Sequence, residues 1–226
     1  MTRRTGTDLA LARLVALAGL CGFLVMAAAA FDLVPHGFDT TILLALRETG
    51  APDQPIGPAW LPGAVRDVTA LGSTVVLACL TVAAVIWLWI ARQRDKALLM
   101  FVAMAGGQAL GAVIKLAVHR PRPSVVPHLV TETSLSFPSG HAMMSAVAYL
   151  TLALLAAGVL QSSTARFFLL LLAVLTTFAI GVSRLYLGVH WPSDVMAGWC
   201  IGTAWAMVCW LAAKRLGGLG ASGSAH

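Results

Sequence analysis

The chain reads as an all-α protein, a polytopic membrane bundle with six transmembrane helices. Of its 226 residues, 59% are hydrophobic and only 11% are charged, where a soluble domain averages about 25% charged. The mean hydropathy is +0.86. The apolar residues gather into runs of about 20 residues, the length that crosses a hydrocarbon core of about 30 Å. Short stretches rich in proline, glycine and charge separate them. The expected spans are 11–33, 68–91, 97–118, 138–160, 167–187 and 192–213, within a single membrane domain covering residues 1–226.

Each element has its own signal. Residues 14–31 reach about 27 Å as a helix; Arg3, Arg4 and the four alanines from Ala27 also fit a signal peptide with its cleavage site, so span and cleaved leader both stand. Phe38, Ile42 and Leu46 recur every fourth residue. That predicts either an amphipathic helix lying on the bilayer or a loop with an apolar anchor. A Pro/Gly-rich stretch follows at 51–63. The second run closes on Arg92, Arg94, Asp95 and Lys96. The third ends at His119, Arg120, Pro121, Arg122 and Pro123, where two prolines stop the helix. A polar loop leads to Pro138, which opens the fourth run. The fifth ends near residue 187, the sixth starts at Pro192, and residues 217–226 form a Gly/Ser-rich tail expected to be disordered.

Charge excludes some functions. The net charge of +6 lacks the basic, aromatic-interleaved surface of a nucleic-acid binder. Cys21, Cys79, Cys200 and Cys209 lie in apolar runs with no metal-ligand spacing and act as small hydrophobes. No histidine pair has metal-site spacing, so neither a metal nor a cofactor is expected.

Ionisable groups at membrane depth are expensive and functional by default, and here they form three clusters. Lys115, Arg122 and Pro123 end the third run. Pro138, Ser139, Gly140 and His141 begin the fourth. Ser183, Arg184, His190 and Asp194 span the end of the fifth and the start of the sixth. Consecutive spans alternate direction, so all three clusters reach one membrane face. Nine of the fifteen Lys and Arg residues fall on the opposite side, which the positive-inside rule makes cytoplasmic. The clusters then face the periplasm or exterior of a cell membrane, with both termini inside.

Lys115 and Arg122, two helical turns apart, together with Arg184 suit a multiply charged oxyanion, and arginine adds bidentate geometry for phosphate. Arg120 is read as a snorkelling interfacial cation. Proline at a helix start leaves the backbone N–H groups of Ser139, Gly140 and His141 free for an anion. His141 could protonate a leaving oxygen. Asp194, four residues after His190, could accept a hydrogen bond from one ring nitrogen and leave the other free to attack; a plain helix cap with an incidental histidine is the alternative.

At these residues the chain resembles the type 2 phosphatidic acid phosphatase family, the membrane branch of a superfamily that includes vanadium haloperoxidases. The family signature is K-x6-RP, PSGH and SR-x5-H-x3-D. It reads here as Lys115 to Arg122-Pro123, Pro138 to His141, and Ser183-Arg184 to His190 and Asp194. Residues 66–72 also resemble a segment of bacterial members. The resemblance implies that His190 attacks phosphorus to form a phosphohistidine, Asp194 orients it, and His141 acts as acid and then base. Lys115, Arg122, Ser139, Gly140 and Arg184 hold the phosphate, with no metal. It implies a lipid phosphate or diphosphate substrate: undecaprenyl diphosphate, which an outward site favours slightly, phosphatidic acid, phosphatidylglycerol phosphate or lipid A phosphate. A vanadate-dependent haloperoxidase and a membrane transporter are the competing classes.

Overall fold

The computed structural model describes residues 2–31 and 37–217; most of the expected Gly/Ser tail, residues 218–226, lies outside them. Eight helices and one hairpin follow in chain order: α1 (Thr2–Ala30), α2 (Phe38–Ala45), β1 (Arg47–Glu48), β2 (Ala51–Pro55), α3 (Leu61–Ala70), α4 (Thr74–Ile90), α5 (Arg94–Val118), α6 (Gly140–Ala157), α7 (Ser163–Tyr186) and α8 (Pro192–Arg215). Among the described residues, six spans are long and apolar enough to cross a membrane, with α3 and α4 together making one of them. The expected all-α membrane bundle is therefore present, with a two-stranded antiparallel hairpin as its only β-structure among these residues.

Local chemistry sets the helix ends. The Ser73 and Ser162 side chains accept the N–H groups of Val76 and Ala165, each at 3.3 Å, and cap α4 and α7. His119 takes a left-handed conformation (φ 50°) and stops α5, and the prolines at 121 and 123 keep it stopped. Pro192 occupies the first turn of α8, where its missing N–H costs nothing.

Two segments differ from expectation. The second crossing is broken at residues 71–73. There Leu71, Gly72 and Ser73 donate to carbonyls three residues back, a tightening that redirects the chain from α3 into α4. Residues 38–48 are neither a surface-lying amphipathic helix nor a plain loop. α2 buries Asp39 and Leu43 and packs on α8, and the hairpin follows it. Arg47, in β1, donates to the Tyr186 carbonyl at the end of α7 (3.1 Å), and Tyr186 Oη donates to the Ile56 carbonyl (2.8 Å).

The bundle packs around α8. α1 runs along one side of it, with Gly19 and Gly22 against Cys200. α6 lies on another side. A Cβ at Gly198 would stand 2.8 Å from the Ser139 carbonyl oxygen, and one at Gly202 would stand 2.5 Å from that of Met143. This Gly198-x-x-x-Gly202 spacing is the small-residue contact that lets membrane helices approach closely. It presses the start of α6 against the start of α8. Trp205 and Trp199 donate their indole N–H groups to the carbonyls of Ala103 (2.9 Å) and Thr177 (3.1 Å), satisfying each polar tip inside the apolar interior.

Candidate active site

The three clusters meet at one end of the bundle. The end of α5 and the loop after it deliver Lys115, Arg120 and Arg122. The start of α6 brings Ser139, Gly140 and His141, and the end of α7 brings Arg184. His190 and Asp194 flank the start of α8. The loop of residues 119–139 folds back over this end: Ser136 donates its N–H to the Arg120 carbonyl (3.0 Å), and Lys115 donates to the Leu135 carbonyl.

His190 is buried, at 2% exposure. Its Nδ1 lies 3.6 Å from Asp194 Oδ2, an ion-pair distance longer than a hydrogen bond. Ser136 stands beside both: its hydroxyl donates to Asp194 Oδ2 and lies 3.4 Å from His190 Nδ1. The other ring nitrogen, Nε2, is 3.3 Å from Arg122 Nη1. Burial pushes the imidazole down to about 4, against the pull of Asp194 and with help from Arg122 and Arg184. His190 is therefore neutral at physiological pH. With the Nδ1 proton toward Asp194, the Nε2 lone pair faces the cations.

Asp194 is fully buried and well supplied with donors. Arg120 Nη1 donates to Oδ1 (2.6 Å), the Trp191 N–H donates to Oδ2 (2.9 Å), and Ser136 donates to the same oxygen. The carboxylate thus caps α8 and sits beside His190 at once.

Arg122 donates to the carbonyls of Ser134 (2.7 Å) and Val189 (2.6 Å). Arg184, 1% exposed, donates to Thr69 Oγ1 (3.1 Å) and to Glu132. Glu132 also pairs with Arg122 (3.4 Å) and so sits between the two guanidinium groups. Burial alone would raise its carboxyl pKa, but Arg184 and Arg122 hold it below the usual carboxylate value. Arg184 Nε and Ser139 Oγ are buried with no hydrogen-bond partner.

Two readings need correction. Arg120 does not snorkel: its side chain is 10% exposed and bridges Asp194 and Asp39 (2.9 Å), because α2 brings a carboxylate to it from far upstream. The Ser139 N–H is not free, since it donates to the Asp194 backbone carbonyl (3.0 Å). The N–H groups of Gly140 and His141 remain at the open start of α6, and a Cβ at Gly140 would meet nothing within 4 Å. Residues 66–72 also acquire a place. Thr69 accepts from Arg184, and Gly72 approaches so closely that a Cβ there would stand 3.3 Å from the His141 ring.

A cavity of about 550 Å³ opens from these groups. Lys115, Arg122, Glu132, Gly140, His141 and His190 line its polar end, and residues of α4, α5 and α6, including Leu77, Phe101, Met104 and Met143, line the rest.

Comparison with known proteins gives the chain a family and a fold. The PAP2 superfamily model matches residues 96–217, more than half of the chain. A phosphatidylglycerophosphatase B of Bacillus subtilis (strain 168) is 33% identical over 144 residues, 63% of this chain and 70% of the relative. An undecaprenyl-diphosphatase of Sulfolobus acidocaldarius is 32% identical over 117 residues, 50% of this chain and 52% of the relative. A crystal structure of a transmembrane PAP2 type phosphatidylglycerolphosphate phosphatase from Bacillus subtilis superposes with a TM-score of 0.79 at 27% identity. It covers 89% of this chain and 96% of that one.

Proposed function

The chain belongs to the PAP2 superfamily, and on that premise we propose that it is a membrane phosphatase that hydrolyses a lipid phosphomonoester or diphosphate through a phosphohistidine at His190. The observation that carries this reading is the convergence of Lys115, Arg122 and His190 at the polar end of an apolar cavity, with Arg184 joined to it through Glu132. Lys115, Arg122 and Arg184 face the one carboxylate of Glu132, and behind them Arg120 offsets only one of Asp39 and Asp194, so the site keeps a net positive charge, the sign a phosphate anion needs. Arg184 Nε and Ser139 Oγ, buried without partners, gain acceptors when phosphate oxygens arrive. The N–H groups of Gly140 and His141 add the positive end of the α6 dipole.

In the first step His190 Nε2 bonds to the terminal phosphorus while the bond from that phosphorus to the leaving oxygen breaks, and His141 gives that oxygen a proton; the leaving group is the lipid alcohol of a monoester or the lipid phosphate of a diphosphate. Asp194 stabilises the imidazolium that develops. In the second step a water, its proton taken by His141, attacks phosphorus and releases inorganic phosphate and neutral His190. The cations supply the charge stabilisation of the transition state, so no metal is needed.

The cavity supports a lipid. The head group sits at the cations, and the tail follows the walls of α4, α5 and α6 into the bilayer. Phosphatidylglycerol phosphate and undecaprenyl diphosphate are the substrates that the relatives' names give; phosphatidic acid presents the same kind of phosphate head group. The charge asymmetry of the loops supports a site on the outer face of a cell membrane with both termini inside.

The test is phosphate release by the purified full-length protein in detergent with EDTA, compared across these three lipids. The expected result is turnover of at least one lipid, abolished by His190→Ala, with acid-labile phosphate trapped on His190 in the wild type. Activity that survives His190→Ala, or no turnover of any lipid, overturns the reading.

A further inference from the structure

We propose that Asp39 and Arg120 are positioning residues for phosphoryl transfer, acting on His190 through Asp194; this rests on the reading of His190 as nucleophile. Asp39 belongs to α2, outside the residues that the family model matches. It is 3% exposed. Its Oδ1 accepts the Ser193 N–H (2.8 Å), and its Oδ2 accepts the Ser193 hydroxyl (2.6 Å) and Arg120 Nη2 (2.9 Å). The other end of the Arg120 fork, Nη1, donates to Asp194 Oδ1 (2.6 Å) and to Ser193 Oγ (2.7 Å). The guanidinium also lies over the Trp191 ring, 5.5 Å from its centroid. One planar fork thus joins two buried carboxylates and fixes the first turn of α8, where Asp194 begins.

The geometry points to function rather than packing alone. Arg120 uses only Oδ1 of Asp194, which leaves Oδ2 on the His190 side. The Trp191 N–H and the Ser136 hydroxyl hold Oδ2, and Arg120 holds Oδ1; with the fork lost, the carboxylate keeps donors on one oxygen alone and can turn about it, which shifts Oδ2 relative to Nδ1. A displacement of about 1 Å at a reacting group costs on the order of 10²-fold in rate. Asp39 fixes the orientation of the fork, because without it Nη2 would lose its carboxylate acceptor. Neither residue lines the cavity where the phosphate would sit, so the effect falls on kcat and not on substrate binding.

Charge gives a second readout. The charged and titratable groups facing His190 are Asp194 from α8, Arg122 from the loop and Arg184 from α7; His141, Glu132 and Lys115 line the same cavity. Removing the Arg120 cation leaves the Asp194 charge less offset, so His190 keeps its proton to higher pH.

The experiment measures kcat, KM and the pH profile of lipid phosphate hydrolysis for Arg120→Gln, Arg120→Lys, Asp39→Asn and the Asp39→Asn/Arg120→Gln pair, in detergent, with thermal melting as a folding check. Arg120→Gln should lower kcat by about 10- to 100-fold with KM within about twofold. The acid limb of kcat/KM should move up by about half a pH unit or more. Arg120→Lys should rescue the limb, which needs charge, but not the full kcat, which needs the fork. Asp39→Asn should cost about 3- to 10-fold in kcat, and the pair no more than Arg120→Gln alone. A wild-type kcat and profile in Arg120→Gln, or a uniform loss with an unmoved limb and additive costs, overturns the proposal. If Arg120→Gln does not fold, Arg120→Lys and Asp39→Asn decide it by the same split. Wild-type inactivity or an active His190→Ala instead removes the phosphohistidine reading beneath it.

Discussion

In the spans of α6 and α8, 56% and 50% of the apolar window is buried inside the protein; in the crossing made by α3 and α4 the share is 11%. The two regions meet at the same site with different packing. On the α6–α8 side, Gly198 and Gly202 bring backbones into contact, and the chemistry-bearing helix starts are locked to each other by Ser139 N–H on the Asp194 carbonyl. On the α3–α5 side, the helices leave a cavity of about 550 Å³ with an apolar wall. Phosphoryl transfer depends on a few ångströms between fixed groups, and the closely packed half carries them. A lipid tail demands only apolar surface and room, so the other half stays open.

The largest expected effect comes from separating the rigid pair. Gly202→Val would place a side chain where even a Cβ lies 2.5 Å from the Met143 carbonyl oxygen. Overpacking of this kind costs about 1–3 kcal/mol or more, and any accommodation moves His141 relative to His190. Activity on every lipid should fall together by on the order of 10²-fold or more, with a lower melting temperature. Gly63→Ala, where a Cβ would meet nothing within 4 Å, is the control. A Gly202→Val enzyme with wild-type kcat would mean that the α6–α8 contact does not set the catalytic geometry.

The pH profile probes the same half. The free His190 imidazole lies at about 4 because it is buried. It attacks only when neutral, so kcat/KM should show an acid limb near pH 4, falling about tenfold per pH unit below it. Above that limb the nucleophile is fully available. A limb near the ordinary histidine value of 6.5 would mean that His190 is solvated in the working enzyme.

The open half answers to a different change. Ala112 lines the cavity on α5, and Ala112→Phe fills part of it. Hydrolysis of a long-chain lipid phosphate should drop by about tenfold in kcat/KM, roughly the loss of one favourable apolar contact set, while a short water-soluble phosphate ester is spared. Equal losses on both substrates would show that the tail does not use this wall.

How much of this was legible in the chain differs between the regions for a physical reason. Charged residues at helix ends announce themselves in an apolar sequence, and Lys115, Arg122, His141, Arg184, His190 and Asp194 all come to one end as their spacing predicts. Gly198 and Gly202 also carried a readable signal, four residues apart on one helix face. Partners that arrive over long separations did not. Asp39 reaches Arg120 across 81 positions, and nothing in the local pattern of His119 to Pro123 tells a snorkelling cation from one with a buried acceptor. Ser136 and Glu132 sit in a polar loop where every residue reads as solvated until the loop folds back. The break at residues 71–73 was hidden because hydropathy continues through it, while only the backbone bonding changes.

Glu132 lies on the seam between the two regions, in the loop that joins α5 to α6, and gives the smallest and most discriminating test. Its carboxylate pairs with Arg184 and Arg122, the cations that would grip phosphate, so it competes with the substrate for them. Arg184 and Arg122 hold the carboxyl below its ordinary value in spite of its burial, which keeps it charged at neutral pH. Glu132→Gln removes that competing charge without removing bulk. Inorganic phosphate and vanadate should then inhibit about 3- to 10-fold more tightly, a gain on the order of 1 kcal/mol for a largely buried charge pair. KM should fall in step, and kcat should stay level or decline as product leaves more slowly. An unchanged inhibition constant would mean that the loop swings Glu132 clear before phosphate enters, which would make the seam a moving part and leave only α6–α8 as fixed structure.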